Sequence, residues 1–207
     1  MRIRITYKKS LPLRFTSALD MQSIWERAFR RAGFHVQYSQ GFHPQPKIQL
    51  GFPLPLGFIS EDEVVDIWIE AHDISPEMKV SLQTAVPAGI EVNNIEEITP
   101  SIKPFITFIT ETEYEVHLWD KNILSALLKE KSAYINDSDT LIRKKRNGRK
   151  YDLRPLILDL QIVTNNDQKS LWLKLITRQD RMGRPDEVMM AMGFDLSDFL
   201  IVKKRSI

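Results

Sequence analysis

No cysteine occurs among the 207 residues. That excludes a disulfide framework, a thiolate metal site, a cysteine nucleophile and a Cys-ligated iron–sulfur cluster within this chain. No apolar run approaches the ~20 residues needed to cross a bilayer, and the opening MRIRITYKKS lacks the apolar core of a secretion signal. A cytoplasmic protein with no membrane partner is therefore expected. A Gly-rich phosphate loop, a His-x-Glu pair and a Ser/His/Asp spacing are all missing. His35, His72 and His117 are scattered, so no metal site is expected. Acidic residues are scarce at one end: residues 1–47 hold Asp20 and Glu26 against nine Lys/Arg.

What is present describes a globular chain, 43% hydrophobic and 27% charged, long enough to bury a real core. The formal net charge of +2 conceals a segregation. Residues 48–100 carry one Lys and ten acids, and residues 140–154 (TLIRKKRNGRKYDLR) carry seven Lys/Arg and one acid. Charge sorted in this way points to a polyanion partner, or else to basic strands facing acidic strands across a sheet.

The periodicity divides the chain into residues 1–100 and 104–207. MRIRITY alternates as a half-buried strand does. Ser17 opens a Ser-x-x-Asp capping box, and the helix behind it places Met21, Ile24, Trp25, Ala28, Phe29 and Ala32 on one stripe, ending at Gly33. FHVQY, EVVDIWIE and IEVNNIEEI read as strands, and SPEMKVSLQTAV as a helix with Pro at its first position. In the second half, ITFITETEYEVHLW is a long alternating strand and KNILSALLKEKSA a helix. A hairpin over 140–154 turns at Asn147-Gly148. LILDLQIV and SLWLKLIT form strands joined through TNNDQK, RPDEVMMAM a helix, and FLIVKKR a final strand. With the hairpin counted as an insertion, both halves read β-α-β-β-α-β. The expected fold is α+β: two tandem ferredoxin-like halves with antiparallel sheets.

Residues 38–57, YSQGFHPQPKIQLGFPLPLG, combine four prolines and three glycines with Phe42, His43, Lys47 and Phe52. Proline fixes φ, so the segment is pre-shaped and binding through it costs little entropy. His43 could serve as a general base or a hydrogen-bond donor, Lys47 as a phosphate contact, and Phe42 and Phe52 as stacking faces. In the alternative, Phe42, Phe52, Leu54 and Leu56 clamp the segment to the core. The mixed arrangement is expected, with Phe52 and Leu54 as anchors and His43 and Lys47 facing a ligand. Arg14, Arg27, Arg30 and Arg31 belong to the same basic zone. The last three also suit the C-terminal half of a helix, where cations are favoured. The hairpin adds Arg143, Lys144, Lys145, Arg146, Arg149 and Lys150 as candidate RNA contacts. Asp152 and Arg154 read as local pairing, Asp186 and Glu187 as first-turn helix acids. TRQDRMGRPDE matches an Arg-x-Asp-x-x-Gly pseudouridine-synthase motif only weakly.

LRFTSALDMQSIWERAFRRAG, YSQGFHPQPKIQLGFPLPLG, DLRPLI and GRPDEVMMAM together resemble a bacterial family of radical-SAM-linked proteins, and the likeness spans nearly the whole chain. The family occurs alone or fused to the C-terminal end of a radical-SAM enzyme and has no established activity. The resemblance implies a radical-SAM enzyme as partner, with the iron–sulfur cluster and S-adenosylmethionine on that enzyme and no cofactor in this chain. The leading expectation is a non-catalytic accessory protein that presents RNA, such as tRNA or rRNA, to that enzyme. An RNA-processing enzyme of the metal-independent endonuclease type, with His43 as base, is one alternative. A protein-docking partner that touches no nucleic acid is another.

Overall fold

The structure is a computed structural model that describes residues 1–70, 74–99, 101–120, 126–144, 148–165 and 168–207. It has mixed α and β structure with antiparallel strand pairing, in two compact units, Met1–Phe108 and Ile109–Ile207. No helix among the described residues is long and apolar enough to cross a membrane.

The first unit runs β1 (Arg2–Lys9), α1 (Ala18–Arg31), β2 (Ile48–Leu50), β3 (Phe58–Trp68), α2 (Pro76–Ala85) and β4 (Ile90–Glu97). Its strands lie in the order β4-β1-β3, with β2 on the other side of β3. Alternation in β1 turns Ile3, Ile5 and Tyr7 inward, each at most 2% exposed. The inner face of β3 supplies Val65 and Ile67. The apolar stripe of α1 covers this face: Met21, Trp25, Ala28 and Phe29 are buried, and Trp25 meets Tyr7 edge-on with ring centroids 4.9 Å apart. Ser17 caps α1 through a complete capping box, the Asp20 N–H donating to Ser17 Oγ at 3.2 Å and the Ser17 N–H to Asp20 Oδ2 at 3.3 Å. Gly89, before β4, has φ +102°, and a Cβ there would sit 2.9 Å from Leu13 Cγ, so only glycine fits both the backbone and the space.

One strand lies elsewhere than expected. FHVQY makes only isolated bridges, Val36 to Ile69 and Tyr38 to Pro46, while the strand that pairs with β3 is β2, inside the proline-rich segment. On the side of β3 away from β1, Ile48–Leu50 pair with Val65–Ile67, so residues 34–38 meet only its end, where Gln37 bonds Trp68. Residues 101–108 go with the first unit. Arg2 Nη1 donates to the Ile102 carbonyl at 2.6 Å, and the Arg4 guanidinium stacks on Phe105 at 4.9 Å.

The second unit runs β5 (Glu111–Leu118), α3 (Ala126–Asp137), β6 (Ile142–Lys144), β7 (Lys150–Asp152), β8 (Ile157–Asn165), β9 (Gln168–Ile176), α4 (Pro185–Ala191) and β10 (Phe199–Ser206). Its sheet order is β10-β5-β9-β8, with β6 and β7 forming a separate ribbon. β5 begins at Glu111 rather than near residue 106, because Phe105–Thr107 coil into a 3-10 turn after Pro104. Leu171, Leu173 and Leu175 of β9 and Val188 and Met189 of α4 are fully buried. The tip of the expected hairpin (residues 145–147), the start of the expected α3 helix (121–125), the centre of TNNDQK (166–167) and His72 lie outside the described residues.

Candidate functional site

Residues 37–47 form a narrow two-armed finger. The Lys47 N–H donates to the Gln37 carbonyl and the Ser39 N–H to the Gln45 carbonyl, both at 2.8 Å, and the Gln45 N–H donates to Ser39 Oγ at 2.9 Å. Pro44 and Pro46 stiffen the returning arm, and Gly41 (φ +129°) takes the backbone conformation that the turn requires. The base is tied on two sides. Gln37 N–H donates to the Trp68 carbonyl at 2.8 Å and Trp68 N–H to the Lys47 carbonyl at 3.1 Å. The Tyr38 hydroxyl donates to Glu26 Oε1 of α1 at 2.8 Å, and that hydrogen bond raises the Tyr38 phenol above its ordinary value.

Phe42 sits at the finger's tip with its side chain 102% exposed, and His43 and Lys47 are exposed as well. Among the described residues His43 makes no hydrogen bond or ion pair. Further along, Phe52 and Leu54 are half-buried, whereas Leu56 is exposed. The Gly57 N–H donates to the Arg14 carbonyl at 2.7 Å, which brings Leu56–Gly57 beside Phe15. Phe15 is 66% exposed and Leu56 60%, so the segment presents apolar groups to water at both ends.

Much of the basic N-terminal zone is engaged within the protein. Arg2 and Arg4 both bond Asp66 across the sheet, and Lys8 pairs with Glu91 at 3.0 Å. Arg30 bonds Glu26 at 3.0 Å, and Arg31 Nε donates to the Ala85 carbonyl at 3.0 Å. Arg14 stacks on Phe15 at 4.4 Å, while Arg27 is exposed on α1. For Arg2, Arg4 and Lys8, then, basic strand residues do face acidic ones across the sheet. Burial pushes the Asp66 carboxyl up, but the hydrogen bonds and charges of Arg4 and Arg2 together outweigh it and hold the group below the usual carboxylate range.

The periodicity of β1 also brings together a group that the charge reading passed over. Lys9 continues the inward series Ile3, Ile5, Tyr7, and its side chain is only 3% exposed. With Tyr7 and Glu63 it lines a small recess of about 10 Å³ between α1 and the proline-rich segment, room for about one water. Tyr7 and Glu63 are cross-strand partners. Burial pushes the Tyr7 phenol well above its ordinary value and lowers the Lys9 ammonium, with the Glu63 charge acting the other way on Lys9.

In the second unit the β6–β7 ribbon is held at its base. Arg143 Nε donates to Glu187 Oε2 at 2.8 Å, and Arg184 holds Asp186 through two bonds of 3.1 and 2.6 Å. Asp152 accepts from the N–H groups of Leu141 and Arg154, and so fixes the start of β8. Lys144, Arg149 and Lys150 are exposed, and Lys145 and Arg146 lie outside the described residues. Arg178 to Arg181 form an exposed turn with Asp180 at 75% exposure, unlike a catalytic carboxylate held in a pocket. His117 Nε2 lies 3.8 Å from Glu115 Oε1, which accepts the Ser170 hydroxyl at 2.6 Å.

A bacterial family described as "Uncharacterized protein conserved in bacteria (DUF2344)" matches residues 2–185. No curated protein matches the chain. Among solved structures, a Cbf5-Nop10-Gar1 complex is similar over 99% of this chain and 48% of that chain, at 9% identity and a TM-score of 0.49. This chain thus spans about half the length of that relative. A putative dyp-type peroxidase from Shewanella oneidensis is similar over 97% of this chain and 90% of that chain, at 11% identity and a TM-score of 0.23. DyPB from Rhodococcus jostii RHA1 is similar over 92% of this chain and 82% of that chain, at 12% identity and a TM-score of 0.23.

Proposed function

The chain belongs to the DUF2344 family of uncharacterized bacterial proteins, and on that premise we propose that it is a non-catalytic accessory protein that docks a separate radical-SAM enzyme. The observation that carries this reading is Phe42, fully exposed at the tip of a finger made rigid by two prolines and paired arms. Single exposed apolar side chains are ordinary on protein surfaces. Here, however, the same segment exposes Leu56 beside Phe15 at its other end, and the arms of its finger are hydrogen-bonded to each other. An aromatic anchor on a pre-ordered support is how a docking contact avoids an entropic penalty. The strand orders β4-β1-β3-β2 and β10-β5-β9-β8 support reading the two units as paired ferredoxin-like halves.

A second reading, RNA presentation to that enzyme, draws on the exposed Lys144, Arg149 and Lys150 of the β6–β7 ribbon. The N-terminal cations support it less, since several of them bond groups within the protein.

The test is anaerobic co-purification with a radical-SAM enzyme encoded beside this chain. The wild-type chain is expected to co-purify and Phe42→Ala to be lost from the complex at an unchanged melting temperature. Absence of any complex at micromolar protein would remove the docking reading.

A further inference from the structure

Two basic segments that are separate in the sequence meet in the second unit. One is the β6–β7 ribbon. The other is the turn after β9, TRQDRMGR, closed by the Arg178 N–H donating to the Arg181 carbonyl at 2.9 Å and by the bridge from Thr177 to Met182. Gly183 sets how closely this turn approaches. A Cβ there would lie 2.9 Å from the Leu156 carbonyl oxygen, so the turn packs against the segment that leaves the ribbon. The first turn of α4 joins the two. Arg143 of β6 bonds Glu187, Arg184 holds Asp186, and Tyr151 is the cross-strand partner of Arg143. Burial raises the Tyr151 phenol, and the charges of Glu187, Arg143, Arg184 and Asp186 all act on it.

Because Arg143 reaches α4, the next cross-strand pair, Lys144 and Lys150, lies on the outer face of the ribbon, with Ile142 58% exposed beside them. Arg178, Arg181 and Arg184 are exposed on the neighbouring turn, where Asp180 is the one exposed acid. Asp186 takes Nε and Nη2 of Arg184, which fixes the guanidinium plane and leaves Nη1 for an outside acceptor. A guanidinium held flat in this way suits the oxygens of a phosphate.

We propose that the turn at 178–184 continues the ribbon as one phosphate-binding surface for single-stranded RNA, with Arg178, Arg181 and Arg184 as its second arm. The proposal rests on the RNA reading of the ribbon and adds residues that the ribbon does not contain. The cations lie on two short arms at different heights, which a flexible strand can follow and a rigid duplex cannot. Ile142 offers apolar area to an unstacked base on the outer face.

A fluorescein-labelled oligouridylate, titrated against the full-length chain at several salt concentrations, reads this surface. Each phosphate contact contributes a log–log slope of roughly −0.7, so the double variant Arg178→Ala, Arg181→Ala should flatten the slope by about 1.4. Arg178→Lys with Arg181→Lys keeps both charges and should retain it. Lys8→Ala, in the first unit, should leave it unchanged. A 4-thiouridine placed in the oligomer should crosslink within residues 178–184 as well as within the ribbon. No binding by the wild type would overturn this inference and the RNA reading together. If replacing Lys144, Arg149 and Lys150 flattens the slope while the Arg178, Arg181 variant does not, the ribbon reading stands and this inference falls. Polyglutamate displacing the RNA as well as unlabelled oligouridylate does, at equal charge, would assign the surface to an acidic protein and overturn the proposal.

Discussion

Arg4 holds Asp66 through two parallel bonds, Nε to Oδ1 at 2.8 Å and Nη2 to Oδ2 at 3.0 Å. Arg2 Nη2 donates to the same Oδ2, and its guanidinium stacks over Trp68 at 5.1 Å. Three charges thus share one nearly dry place in the sheet of the first unit, at side-chain exposures of 12, 6 and 1%.

Removing the shared anion should be severe. Asp66→Asn keeps the shape but leaves Arg2 buried without its counter-charge, a cost of about 3 to 5 kcal/mol. The folded Asp66 carboxyl titrates below its ordinary 3.8. Its contribution is therefore complete above that value and is lost as pH falls through the folded one. Urea unfolding of both proteins checks this: the wild type should lose stability in that acid window, and the Asp66→Asn curve should be flatter there.

Along the proline-rich segment the mutational ranking should follow burial. Phe42→Ala removes nothing packed and should stay within about 0.5 kcal/mol of wild type. Leu54→Ala, at a half-buried wall of the Lys9 recess, should cost about 1 to 2 kcal/mol. Thermal melts of the two variants, run beside the co-purification assay, separate anchor from contact. A large stability loss in Phe42→Ala would mean that the tip is packed after all.

The ribbon gives an electrostatic test of the RNA reading. On single-stranded RNA each phosphate contact contributes a log–log salt slope of roughly −0.7. Replacing Lys144, Arg149 and Lys150 by Ala should therefore flatten the slope by about 2. Glu187→Ala, which releases Arg143, should steepen it. A titration at several salt concentrations in which neither variant moves the slope would retire the ribbon as an RNA contact.

Gly89→Ala should destabilise the first unit by about 1 to 3 kcal/mol. It forces an L side chain into positive φ and drives a methyl against Leu13. Denaturant midpoints read this directly, and Leu13→Ala in the same chain should recover only the steric part.

The features legible in the sequence are those set by neighbours along the chain. The capping box of Ser17 and Asp20 and the stripe from Met21 to Phe29 need only one helix, and both are present. β2 was not legible because three residues are too few to show a period, and the prolines around them read as loop. FHVQY carries the alternation that β2 lacks, yet the partner backbone is taken by Ile48–Leu50. The pairing of Arg2 and Arg4 with Asp66 spans more than sixty residues and depends on register, so charge counts could raise it only as an alternative. Lys9 could have been found: it falls on the same inward phase as Ile3, Ile5 and Tyr7, but next to Lys8 it reads as part of a solvated basic run.

The bare ring of Phe42 also has a consequence for the chain when it is alone. A stiff finger cannot fold its own tip away, because Gln37, Ser39, Gln45 and Lys47 fix both arms to each other and Tyr38 fixes them to α1. On the docking reading, solitary copies at high concentration would meet one another through this tip, and their colloidal behaviour would change when the partner is added. Yield, turbidity and shelf life of the purified chain would then report on stoichiometry, and trimming that single aromatic ring would improve them without a partner.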